Sequence, residues 1–189
     1  MLIKIKLTLL LFCYFTIAAL SQGKDCLAYW GEDTELKKDR LDTKATLLFA
    51  YTSEPTKAYL PDRDLIQTQA SITYISGGYY LLHLIIDVAL ANAPQAYGNI
   101  PAKSNLTIHF LDKSQATLKS AVLTLGTFQP AELLYRYRVE YPIGGNALKK
   151  LKAKELDRIS LTWTTGIETY KLYDVDFFIR HFQCISQHQ

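Results

Sequence analysis

This chain of 189 residues has little of what usually carries chemistry. It contains no Gly-x-Ser-x-Gly elbow, no His-Glu-x-x-His pair, no P-loop and no Gly-x-Gly-x-x-Gly turn. Those gaps weaken readings as a hydrolase, a zinc protease, a nucleotide-binding protein or a dinucleotide-dependent enzyme, and no cofactor is expected. Charge of one sign is also lacking: 21 basic residues face 18 acidic ones, and no basic stripe offers a track for nucleic acid. Long apolar runs are confined to the start of the chain. The best later candidate, Leu81 to Leu90, is interrupted by His83 and Asp87 and falls short of the about 20 residues that a helical span needs. No stable membrane insertion is expected.

Cysteine is scarce too, with three in all. The first 21 residues read as a secretory signal: Lys4 and Lys6 open it, Leu7 to Leu20 is nearly unbroken apolar sequence, and Ala19 and Ser21 fit a cleavage site. Cleavage there removes Cys13 and leaves Cys26 and Cys184. Two cysteines in an exported chain most simply form one disulfide, which here requires both ends of the domain to lie side by side. The net charge falls from +3 to +1 with the loss of Lys4 and Lys6. Residues 22–189 suit one domain, placed in the periplasm or outside the cell.

What the chain does have is alternation. Ala70, Ile72 and Tyr74 alternate with polar neighbours, Ser76-Gly77-Gly78 turns the chain, and Tyr80, Leu82, Leu84, Ile86, Val88 and Leu90 return on one face. Leu106, Ile108 and Phe110 form another inward set, as do Leu133, Tyr135, Tyr137, Val139 and Tyr141. Near Ser120 the parity switches, which predicts a β-bulge. Ile159, Leu161 and Trp163, then Tyr170 and Leu172, predict a late hairpin. After it Val175, Phe178, Ile179 and Phe182 follow helical spacing, with Asp174 placed as cap. Lys149, Lys150, Lys152 and Lys154 mark the solvated face of a second short helix, capped by Asn146.

About eight strands without strand–helix alternation predict an all-β fold, an antiparallel β-sandwich with Greek-key connections and two short helices. A lipocalin-like barrel is the alternative. Trp30 is followed by Gly31, however, so the Gly-x-Trp pattern of a lipocalin's first strand is missing.

Candidate chemistry is thin, and no catalytic residue or metal site is assigned. His83 and His109 would form half of a metal site with Asp87 if their strands were neighbours. Asp62 and Asp64 offer too few oxygens for Ca²⁺. The one excess is aromatic: 13 tyrosines and two tryptophans, rings that stack on sugars or anchor protein contacts. Most fall on inward strand positions. Tyr97, in the Asn92 to Ser104 loop, and Tyr29 with Trp30, in an extended and charged lead-in, are the candidate ligand-binding residues.

An apolar leader, a lone β-rich domain and an Asp176-Phe177-Phe178-Ile179 close give the chain a layout that resembles the small uncharacterised exported β-sandwich proteins of Gram-negative bacteria. The resemblance implies an envelope or secreted location and assigns no functional residue. The expected function is non-enzymatic binding of a glycan or protein outside the cytoplasm. Tyr79 to Leu90, apolar on both faces, would serve homodimerisation. A carbohydrate-active hydrolase with dispersed carboxylates and a lipocalin-like carrier of an apolar ligand are the alternatives.

Overall fold

The computed structural model describes residues 26–189, so the expected leader over residues 1–21 lies outside the described residues. Eleven strands form two antiparallel sheets. In the large sheet the order is β1 (Ala28–Asp33), β2 (Lys38–Thr43), β4 (Ile66–Ile75), β5 (Tyr79–Val88), β9 (Leu134–Pro142), β8 (Thr127–Gln129). Strand β3 (Thr46–Tyr51) also pairs with β4, beyond the point where β2 stops. The small sheet runs β11 (Gly166–Lys171), β10 (Leu156–Trp163), β6 (Asn105–Phe110), β7 (Gln115–Lys119). The chain changes sheet three times, and the sheets do not close on each other as a barrel. A sandwich-like all-β fold is therefore what forms.

Alternation does the positioning. Every even residue from Tyr80 to Val88 is buried, and Leu106, Ile108, Phe110, Ile159 and Leu161 meet them from the small sheet. Four helices accompany the sheets: α1 (Glu54–Lys57), α2 (Ala93–Ala96), α3 (Gly145–Leu151) and α4 (Phe177–His188). Helix α4 covers the inward side near β2, with Phe177, Phe178, Phe182 and Ile185 buried. Cys184 on α4 bonds Cys26, just before β1, with Cα atoms 5.3 Å apart, the pairing expected of the two cysteines that follow the leader-like segment.

Several local expectations are corrected. The lead-in is not irregular: β1 and β2 form a full hairpin, and with the short β8 they raise the strand number above eight. Two helices exceed the expected pair because Pro55 and Pro94 each open a single turn in a predicted loop. No bulge forms at Ser120. Strand β7 simply ends at Lys119, and the buried Ser120 hydroxyl donates to the Pro101 carbonyl (2.6 Å) and accepts from the Ser104 amide (3.0 Å). Gly144, not Asn146, stands before α3, and Asp176, not Asp174, precedes α4. Asp174 instead pairs with Arg180. Leu133 leaves the inward set and is exposed.

Candidate functional site

Strand β1 is an outer edge of the large sheet, and its hydrogen-bonding pattern follows from the register. The Lys44 amide donates to the Leu27 carbonyl (2.8 Å), so Leu27 faces Lys44 in a hydrogen-bonded pair. The pattern alternates, so Tyr29, Gly31 and Asp33 bond to β2. The backbone groups of Ala28, Trp30 and Glu32 therefore point away from the sheet, with no strand beyond them among the described residues.

Side chains frame that edge on both faces. Tyr29 lies opposite Asp42 on the outward face, and Trp30 lies opposite Leu41 on the face that carries α4. They are 58% and 55% exposed. Beneath them the hairpin is held firmly. The disulfide ties its first residues to α4, and His181 of α4 reaches back to Thr43 (Nδ1 to Oγ1, 2.7 Å) and Thr46 (Nε2 to Oγ1, 3.2 Å). The Thr43 hydroxyl also accepts from the Ile72 amide at 2.9 Å. Burial, with a smaller contribution from Arg180, pushes the His181 pKa down to about 4, so at neutral pH the ring is an uncharged strut.

Next to this edge the outward face of the large sheet carries a chain of polar side chains. Arg40 pairs with Asp42 (2.7 Å), the Thr73 hydroxyl donates to Asp42, His83 Nε2 lies 2.8 Å from Thr73, and His83 Nδ1 lies 3.2 Å from Glu140. Asp87 takes two bonds from Arg136, at 2.7 and 2.8 Å. Thr, His and Glu in line resemble a nucleophile, a base and its orienter. The Thr73 hydroxyl is fully buried and already donates to Asp42, so it has no path to a substrate. Burial lowers the His83 pKa, against the pull of Glu140.

The other expected sites separate. His83 stands on β5 of the large sheet and His109 on β6 of the small one, so they do not share a metal site with Asp87; His109 lies 2.9 Å from the Ser160 hydroxyl instead. Tyr97 is not a free loop aromatic. It is 8% exposed, and its ring lies 5.3 Å from Trp163. The loop around it is clamped to the β10–β11 turn: Thr165 Oγ1 donates to the Tyr97 carbonyl (2.8 Å), and the Asn99 amide donates to Thr164 Oγ1 (2.9 Å). Gly98 sits at φ +74°, where any Cβ would collide with Thr164. Strand β5 is paired on both edges, by β4 and β9, so Tyr79 to Leu90 offers no edge for self-association. Its outward residues His83 and Asp87 are already engaged with Glu140 and Arg136.

Sequence reasoning placed Tyr29 and Trp30 among the free aromatics but missed that they sit on an edge strand. The alternating charges of Lys38, Asp39, Arg40 and Asp42 hid β2, because neither of its faces reads as apolar. No family model, curated protein or solved structure matches this chain. Among the described residues no helix is long and apolar enough to cross a membrane.

Proposed function

We infer that this protein is an exported, non-enzymatic interaction module that accepts an extended segment of a partner protein as an added strand along β1. The observation that carries the reading is the open backbone edge at Ala28, Trp30 and Glu32, bracketed by exposed Tyr29 and Trp30. Strand addition draws its affinity from main-chain hydrogen bonds and its specificity from side chains on alternating faces. Exposed aromatic rings suit that second task, because they bring large contact area with little entropy to lose. The disulfide and His181 supply preorganisation, since an edge already held in place loses less freedom on binding. Export fits both the disulfide and the leader-like start of the sequence.

The test is site-specific photo-crosslinking in the producing cell. A crosslinker at Trp30 should give a discrete adduct, and one at Thr169 on the far edge strand β11 should not. Adding Glu32→Pro should abolish the adduct, because proline removes an outward N–H and leaves the β1–β2 ladder bonds of Tyr29, Gly31 and Asp33 in place. An adduct that survives Glu32→Pro would rule out strand addition. An adduct with glycan in place of protein would move the reading to sugar stacking on the same two rings.

A further inference from the structure

Natural sheets blunt their open edges with lysine, proline, very short strands or bulges. Among the described residues the open edges follow that rule with one exception. Strands β7 and β11 end in Lys119 and Lys171, β8 has three residues and is followed at once by Pro130, and the register of β3 on β4 shifts between Leu47 and Phe49. Strand β1, Ala-Tyr-Trp-Gly-Glu-Asp, holds neither lysine nor proline, and its register with β2 runs unbroken through all six residues. Its only charges, Glu32 and Asp33, stand at one end. An edge so regular and aromatic is a template for another strand.

The strand also fits itself. Turned antiparallel about an axis at Trp30, two copies of β1 pair every outward residue: Trp30 with Trp30 of the second copy, Ala28 with Glu32 and Glu32 with Ala28, each pair exchanging two backbone bonds. On the outward face Tyr29 then falls opposite Gly31 of the second copy. Apart from its chain neighbours, no atom stands within 4 Å of where a Gly31 side chain would begin, so the ring has bare backbone to lie on. On the α4 face the two Trp30 rings meet across the axis, each half-exposed in the single chain. No like charges are opposed, since Glu32 faces Ala28 and Asp33 faces Leu27. Other registers lose this fit. An axis at Glu32 sets two carboxylates face to face, one at Gly31 sets bare backbone against bare backbone, and one at Tyr29 drives Glu32 against Cys26, whose sulfur is tied to α4.

We propose that the strand β1 accepts is β1 of a second copy, so that two large sheets join into one across a two-fold axis at Trp30. The contact is isologous, the commonest kind among homo-oligomers. It rests on the reading of β1 as a strand-accepting edge and names the partner. It differs from the expected dimer through Tyr79 to Leu90, whose strand is paired on both edges.

Sedimentation of the protein purified from the producing cell should show monomer and dimer exchanging with concentration. Glu32→Pro, which removes an outward N–H on each side of the axis, should weaken the dimer about tenfold or more. Cysteines read the register. Ala28→Cys mixed with Glu32→Cys should give a covalent dimer on oxidation with diamide, because facing residues of a bonded pair lie about 5.5 Å apart, within disulfide reach. Either variant alone should give about tenfold less, since like positions stand four residues apart along the strands, roughly 13 Å. Equal cross-linking with and without mixing would overturn the proposal, and so would a monomer at every concentration of the unaltered protein. A monomer that still yields a Glu32→Pro-sensitive adduct with a different protein in the cell removes the second copy and keeps the β1 edge. A monomer without any adduct removes both.

Discussion

The molecule keeps two groups of aromatic residues and uses them in opposite ways. Tyr29 and Trp30 project from an edge strand into water, while Tyr97, Tyr137, Trp163 and Tyr170 close the seam between the sheets near the other end of β4. Composition does not distinguish the two groups. What separates them is whether a strand or loop lies beyond them: among the described residues β1 has no outer neighbouring strand, whereas the loop that carries Tyr97 is bolted to the β10–β11 turn by reciprocal backbone and threonine bonds. A ring held that way is structural first. One left out on an anchored edge is available for contact.

The largest effect should come from cutting the anchor. Replacing Cys26 and Cys184 together by serine removes a bridge spanning 158 residues. The chain-entropy model assigns so long a loop about 5 kcal/mol, read as a drop in the denaturant midpoint. Hydrogen exchange should show the loss first at β1 and only later at the seam, because the bridge holds the hairpin directly. Equal loss of protection at both places would mean that the two regions unfold as one unit.

Substitution of the two tryptophans should sharpen the contrast. Trp163→Ala opens a hole beneath Tyr97 and Tyr137 and should destabilise the fold by about 3–5 kcal/mol. Trp30→Ala should change stability by no more than about 0.5 kcal/mol and should weaken partner capture instead. Paired thermal melts decide between them, and similar melting shifts for both variants would erase the distinction between structural and available rings.

The smallest of the three effects is the pH response of the strut beneath the edge. His181 titrates near 4 when folded and near 6.5 when unfolded. Between those values the unfolded chain binds the extra proton, so stability is full above about pH 6.5 and declines as the pH falls through 4. The ceiling on this loss is about 3 kcal/mol, and the lowered pKa of His83 adds in the same direction. Urea midpoints compared at pH 7 and pH 4.5 measure the sum. His181→Gln should flatten the dependence, and an unchanged slope would remove His181 from the account.

Much of the fold was legible in the sequence because a strand with one buried face writes its period into the chain. Tyr80 to Val88 and Leu106 to Phe110 needed nothing else. The bridge was legible by elimination, once Cys13 was assigned to an expected leader. Strand β1 was not legible, because Tyr29, Trp30, Gly31 and Glu32 are all exposed and carry no alternation. Tyr97 misled for the opposite reason. Proline and glycine around it mark a loop, and a loop folded back as a plug shows the same local pattern as one that hangs free. The stack of Phe49 on Tyr170 lay beyond reach, since β3 and β11 are far apart in sequence and meet only when the sheets stack.

The bridge between Cys26 and Cys184 also determines how the domain bears force. A pull applied at residue 26 and at Gln189 runs through the sulfur–sulfur bond and the last turn of α4, bypassing the sheets almost entirely. The ladders between β4, β5 and β9 lie inside the covalent ring and carry none of that load. Tension taken at those two points would leave the seam packed and the β1 edge in register until the covalent link gave way.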